Sequence, residues 1–367
     1  MLEETVNRQV SVVVGTRPEI VKLAPVVRIL GTRASLVHSG QHTDQELSGV
    51  FFSAAGLPVP QTLTGICGQP RHVQVARIVE QLGARYAQRP PAAVLVQGDT
   101  NTAQAAAQAG HYAGVPVVHV EAGLRSFDRR MPEELNRCLI GVLADLHCAP
   151  TERSVANLVG EGVPARRIVL TGNTIVEATR AMMPGDADAS QIVAGAGVGP
   201  GRYVLATIHR PENTDDAGRL ETILGELSKL GLPVLLPLHP RTRLAAQRHG
   251  LDAALDRLVT LPPADHRTFL ALAQHARLLV SDSGGVQEEC TVLKRPLIVV
   301  RNSTERPESI DAGFAHLVQP GPVLGDLGRQ LIGDRWLGAR LARVACPYGD
   351  GTASEQIAAC LRKLYLN

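Results

Sequence analysis

Aromatic side chains make up only 3% of this 367-residue sequence, so its core has to rest on Val, Leu, Ile and Ala. No apolar run approaches the ~18–20 residues of a membrane-spanning helix. The first nine residues are polar and acidic, unlike a secretory leader. Both absences point to a cytoplasmic protein with no membrane partner. The six cysteines (Cys67, Cys138, Cys148, Cys290, Cys346, Cys360) have no CxxC spacing and no clustered His. That argues for reduced, mostly buried thiols and against a metal site. A net charge of +2, without a basic run, leaves no footprint for nucleic acid. Gly15 lacks the partners of a G-x-G-x-x-G fingerprint, the glycines at 195–201 precede a strand, and no G-x-x-x-x-G-K-[ST] occurs. A nicotinamide enzyme or P-loop ATPase is therefore poorly supported, and no cofactor is expected.

What remains is an ordinary globular composition, 44% hydrophobic and 20% charged, in a chain long enough for two domains. Strand-like apolar runs at 10–14, 36–37, 93–96 and 115–120 alternate with helical stretches such as 21–30 and 102–113. The alternation marks βαβ units and a parallel sheet, and the Val- and Leu-rich runs suit strands covered on both faces. Residues 184–201, rich in Gly and Pro, read as a linker. The pattern then restarts at 203–207, 234–238, 258–261, 278–281 and 297–300. The expected architecture is α/β: two doubly wound, Rossmann-like domains, 1–180 and 181–351, facing each other across a cleft. Ligands of such sheets sit beyond the carboxyl ends of the strands.

The chemistry-bearing residues cluster at those ends. Asp282-Ser283-Gly284-Gly285 leaves an apolar run and enters a helical stretch carrying Glu288 and Glu289. A turn of this kind bares N–H groups for a phosphate, while the carboxylates suit the hydroxyls of a ribose. Arg306 follows in Thr304-Glu305-Arg306-Pro307-Glu308. Gly15-Thr16-Arg17-Pro18-Glu19 ends the first strand, with Lys22 one turn on; Arg17 and Lys22 face an anion above that strand, or Lys22 makes a structural ion pair. Asp99 is either a helix N-cap or a catalytic carboxylate. Glu121 ends another strand, and Pro132 places Glu133 and Glu134 in a first helical turn, where acids also favour the dipole. His209 and His239 follow the first two strands of the second half, each beside an Arg.

Taken in order, these segments resemble the non-hydrolysing UDP-N-acetylglucosamine 2-epimerase family over nearly the full length. The matching blocks are 15–25, 39–42, 97–102, 119–125, 132–137, 171–174, 209–213, 282–289, 301–308 and 347–351. The resemblance implies a GT-B-type fold, a homodimer, and a final helix (about 352–367) that returns to the first domain. It also implies interconversion of UDP-GlcNAc and UDP-ManNAc by loss of UDP to a 2-acetamidoglucal and its re-addition. Asp99, Glu121, Glu133 and His209 match the acid/base set. Arg17, Lys22, Ser283, Gly284, Gly285, Glu289 and Arg306 match the nucleotide grip, and Phe269 falls near the uracil.

Many bacterial members carry a second, activating UDP-GlcNAc site. Gln41, His42, Arg210 and His239 are the candidates for it here, but Asp44 and Gln69 stand where those members have Gln and Arg, and Pro211 replaces a second Arg. Activation is accordingly expected to be weak or absent. Alternatives are a 2-epimerase of a 2,3-diacetamido uronic acid sugar, with Arg125, Arg129 or Arg130 facing the extra carboxylate, a GT-B glycosyltransferase, and an inactive nucleotide-sugar sensor.

Overall fold

Five consecutive buried residues, Val10–Val14, open the first sheet as β1. The computed structural model describes residues 9–41, 52 and 56–366. The chain divides into two units, one made of Met1–Ala178 with Tyr348–Asn367, the other of Thr179–Pro347. The first holds β1, β2 (Ala34–His38), β3 (Gln61–Thr62), β4 (Ala93–Gln97), β5 (Val117–Val120), β6 (Leu146–Ala149) and β7 (Ile168–Leu170) in the order β3-β2-β1-β4-β5-β6-β7. The second holds β8 (Val204–Thr207), β9 (Val234–Pro237), β10 (Val259–Leu261), β11 (Leu278–Ser281), β12 (Leu297–Val300) and β13 (Ala315–Val318) in the order β10-β9-β8-β11-β12-β13. Every pairing among the described residues is parallel.

Both sheets are thus doubly wound, as the alternation predicts. Strand order reverses between β1 and β4 in one and between β8 and β11 in the other, which is where such sheets leave room for ligands. The segments after these four strands and after β5 carry Arg17, Asp99, Glu121, His209 and the Ser283–Gly285 turn.

Each face of the first sheet has its own core. On one, Ile20, Leu23, Val26 and Val27 of the helix Arg17–Leu30 pack with Ile357, Ala358 and Leu361 of the helix Ala353–Leu361. On the other, Ala103, Ala105, Ala106 and Ala107 of Asn101–Tyr112 lie against Val94 and Val96. The small alanines let that helix sit close to the sheet. Burying Ile357 and Leu361 is worth about 1.5–3 kcal/mol each, which fixes the late helix on unit 1.

One expectation fails: residues 184–201 are not a bare linker. Asp186–Gly195 is a helix whose Ala189 and Val193 are buried, Val193 in the core of the second unit. Spacing of four between those two residues puts them on one face, and turns follow only at 196–197 and 200–201. No helix among the described residues is long and apolar enough to cross a membrane.

Candidate active site

Unit 1 gathers its polar groups around the ends of β1, β4 and β5. Thr16 caps the helix Arg17–Leu30 through a capping box with Glu19. The Glu19 carboxylate accepts from Gly15 N (2.9 Å), Thr16 N (2.7 Å), Thr16 Oγ1 (2.8 Å) and, across the switch point, Thr100 Oγ1 (2.7 Å). Burial raises its pKa to about 7 even against those four donors. Glu121 follows β5 directly with φ of 66°, a left-handed conformation costly for a non-glycine residue. Its carboxylate accepts from Lys22 Nζ at 2.8 and 2.9 Å, from Gln97 Nε2, and from Asn173 Nδ2 at 3.3 Å.

Asp99 sits on the loop after β4. The N-cap of Asn101–Tyr112 is Thr100, whose hydroxyl accepts from Ala103 N at 3.0 Å, so the capping reading of Asp99 fails. Its carboxylate meets the Arg137 guanidinium instead, and Asn136 Nδ2 donates to its carbonyl at 2.7 Å. His119 Nε2 donates to Gly98 O at 2.8 Å, fixing the turn just before Asp99. Burial pushes this imidazole down to about 3, so the ring is neutral. Glu133 and Glu134 share the first turn of Pro132–Leu143 but have different fates. Glu134 is buried and accepts from Ser126 N (3.0 Å), Phe127 N (2.9 Å) and Arg137 Nη2 (2.8 Å). Glu133 is half-buried, and among the described residues no hydrogen bond or ion pair engages it.

Unit 2 centres on Asp282, which is wholly buried behind the loop after β8. It accepts from His209 N (3.0 Å), Arg210 N (2.9 Å) and Asn213 Nδ2 (3.1 Å), and His209 Nδ1 lies 3.5 Å from its Oδ1. The imidazole edge carrying Nε2 is left outward, on a side chain 35% exposed. His239 packs its ring 5.2 Å from that of His209 and accepts from Arg241 N through Nδ1 at 3.1 Å. Its pKa is lowered by burial, then by His209 and Arg241.

Beside this loop starts the helix Gly284–Leu293. Its N-cap, Ser283, makes no side-chain capping bond, so the first-turn N–H groups stay available to an anion. A Cβ on Gly284 would lie 2.8 Å from Arg306 Nη1; glycine lets that guanidinium close on the turn. Arg306 is oriented by buried Glu288 (Nε to Oε1, 2.8 Å) and by Glu305, which also binds Arg301 at 2.9 Å. Chemically, unit 2 offers an uncapped helix start, a guanidinium and an oriented imidazole, suited to a diphosphate. Unit 1 offers carboxylates held by cations, suited to moving protons.

Comparison with known proteins gives the same reading a family. A UDP-N-acetylglucosamine 2-epimerase family model matches residues 30–362. The chain belongs to that family. A UDP-N-acetylglucosamine 2-epimerase of Methanococcus maripaludis is 34% identical over 363 residues, covering 95% of this chain and 97% of the relative. A UDP-2,3-diacetamido-2,3-dideoxy-D-glucuronate 2-epimerase of Pseudomonas aeruginosa is 34% identical over 364 residues, covering 96% and 99%. The crystal structure of the Methanocaldococcus jannaschii UDP-GlcNAc 2-epimerase with UDP-GlcNAc and UDP superposes with a TM-score of 0.87 at 33% identity, covering 97% of this chain and 99% of that one.

Within the family frame, the structure gathers Asp99, Glu121 and Lys22 in unit 1, and His209, Arg210 and His239 in unit 2. Gly284 and Arg306 adjoin each other at the Ser-Gly-Gly turn. Lys22 departs from the expected anion grip, since its ammonium lies on Glu121. Of the two adjacent acids read for a ribose, Glu288 is taken by Arg306, leaving Glu289. Gln41 is tied to Thr102, whose Oγ1 donates to its amide oxygen at 2.6 Å; His42 lies outside the described residues. Phe269 is half-buried against the core of unit 2. Arg125 is withdrawn from any ligand: it is buried and forms a fork with Glu161 at 2.6 and 2.7 Å.

Several working residues escaped the sequence reading. Glu19 was detectable as the last residue of a Thr-x-x-Glu capping box. Asp282, Asn173 and Gln97 lie inside the matching blocks 282–289, 171–174 and 97–102, and their partners follow only from the fold.

Proposed function

We propose that this chain interconverts UDP-GlcNAc and UDP-ManNAc without hydrolysis. The observation that carries this reading is the pairing, within unit 2, of an uncapped Ser283–Gly284 helix start with an imidazole oriented by Asp282 in the adjoining loop. The C2 proton of the sugar has no carbonyl beside it, so its removal has to be coupled to departure of a stabilised anion. In the proposed reaction a carboxylate takes the C2 proton, the C2–H electron pair becomes the C1=C2 bond of a 2-acetamidoglucal, and the C1–O pair leaves with UDP. His209 and the Ser283–Gly285 turn favour the departing diphosphate electrostatically. Re-addition of UDP with protonation on the opposite face completes the inversion. Asp99, Glu121 and Glu133 are the proton carriers; Lys22 and Gln97 hold Glu121, and Arg137 holds Asp99. Glu289 takes the ribose, with Phe269 by the base and Arg17 on the phosphates.

UDP-GlcNAc is favoured over a diacetamido uronate because Arg125, the inward candidate for an extra carboxylate, is committed to Glu161. Incubation with UDP-GlcNAc in D2O, followed by NMR, tests both points. Deuterium at C2 together with a UDP-ManNAc signal is the expected result. Exchange confined to the diacetamido uronate would overturn the substrate, and exchange with neither would overturn the reaction. Asp44, Gln69 and Pro211 depart from the residues of the activating site, and Gln41 is already tied to Thr102. Hyperbolic kinetics, unchanged by added UDP-GlcNAc in the ManNAc direction, are expected; sigmoidal rates would refute this.

We also propose that the partner is a second copy of the chain. The helices Arg71–Gln88, Asn101–Tyr112 and Pro132–Leu143 pack side by side, leaving Tyr112, Leu139 and Val142 exposed. A groove of about 590 Å³ lies beside Val75, Val79 and Gln108. Sedimentation should give a dimer that Val142→Glu weakens; a monomer at micromolar concentration would exclude it.

A further inference from the structure

Glu289, assigned above to the ribose, is held by a residue that the assignment does not use. His266 Nε2 lies 2.7 Å from Glu289 Oε1, and the two side chains are only 14% and 8% exposed. His266 opens the helix His266–His275, which Asp265 starts by accepting from Thr268 N at 2.7 Å. Its other ring nitrogen, Nδ1, is 3.3 Å from Met182 Sδ, so both edges of the imidazole are placed. Phe269, on the same helix, is three residues further on. Among the described residues no other group donates to the Glu289 side chain.

Glu289 has one protein donor, and its other oxygen, not sealed from solvent, is left for a ligand hydroxyl. The imidazole N–H occupies Oε1 and turns the carboxylate plane so that Oε2 remains to accept from a hydroxyl. A vicinal diol supplies the missing donors. A deoxygenated sugar leaves that oxygen buried and unmatched, which is how a polar site rejects an analogue lacking a hydroxyl. Without His266 the carboxylate would lose its anchor and its orientation together.

We propose that His266 is a positioning residue that presents Glu289 to the sugar hydroxyls and thereby makes the nucleotide site selective for ribonucleotides. The inference rests on the ribose role of Glu289, and the experiment separates the two. Binding of UDP, 2′-deoxy-UDP and 3′-deoxy-UDP is measured by calorimetry for the full chain and for His266→Ala, His266→Gln, Glu289→Gln and the His266→Ala/Glu289→Gln double variant. The wild type is expected to prefer UDP over at least one deoxy analogue by about 10-fold or more. His266→Ala should reduce that preference to a few-fold and raise KM for the UDP-sugar with little change in kcat. Gln keeps an N–H near the place of Nε2, so His266→Gln should restore much of the preference, and the double variant should be no worse than Glu289→Gln alone. Full selectivity retained in His266→Ala overturns the inference while leaving Glu289 on the ribose. A wild type that binds all three nucleotides equally overturns both.

Discussion

Each sheet keeps a buried carboxylate at its switch point, Glu19 beside β1 and β4, Asp282 beside β8 and β11, and the two are spent differently. Glu19 belongs to the helix that follows β1 and turns back onto its own start, taking the Gly15 and Thr16 N–H groups. The helix end that a doubly wound sheet offers to anions is filled there by the chain itself. Asp282 comes from the neighbouring loop and gathers the N–H groups of His209 and Arg210, while the helix Gly284–Leu293 begins without a side-chain cap. One topology thus yields a self-neutralised end and an open one. Anion binding is decided less by the fold than by whether the sequence supplies its own carboxylate first.

The comparison breaks most sharply at the reacting groups. His209→Ala and Asp99→Ala should each lower turnover by about 10³-fold or more while UDP still binds within a few-fold of wild type by calorimetry. Unfolding of both variants, seen by circular dichroism, would make their roles structural. A middling effect is expected from closing the open end. Gly284→Ala places a methyl against Arg306, and loss of a charge-assisted contact should weaken UDP binding by about 10–100-fold; unaltered affinity would mean that the diphosphate sits elsewhere.

The smallest effect belongs to the filled end. Glu19 has a folded pKa of about 7 against 4.5 for a free Glu. Between these values the native state keeps a proton that the unfolded chain has released, so stability is full below pH 4.5 and falls as pH rises toward 7. Gln can keep the bonds, with its oxygen on Gly15 and Thr16 and its amide donating to Thr100. Glu19→Gln should therefore be more stable than wild type at pH 8 by on the order of 1–3 kcal/mol, the gap closing near pH 4.5. Thermal melts at the two pH values check this, and a variant less stable at both would show that the carboxylate charge itself is needed.

Local signals carried the fold as far as strands with unbroken apolar runs. β1, β4, β8, β11 and β12 were legible because burial on both faces demands Val, Leu and Ile throughout. β6 was not, since His147 interrupts Leu146–Ala149; β3 has two exposed residues and β7 only three, too few for any period. The helix Asp186–Gly195 hid behind Pro184 and the glycines that flank it. At the site, residue type announced Asp99, Glu121 and His209, but pairing did not follow from sequence. Lys22 and Glu121 are 99 residues apart, and only the adjacency of helix and sheet reveals that the cation serves the acid. His266 and Glu289 are a similar case.

The return of Ala353–Leu361 to the first sheet has a consequence for biosynthesis. A ribosome exposes residues 1–178 long before it has made Ile357 and Leu361, so one face of the earliest-made sheet must wait with Ile20, Leu23 and Val27 unroofed while Thr179–Pro347, an uninterrupted stretch, matures ahead of it. The order of completion is the reverse of the order of translation, and a nascent chain stalled before residue 353 presents a greasy surface to whatever chaperone is nearest.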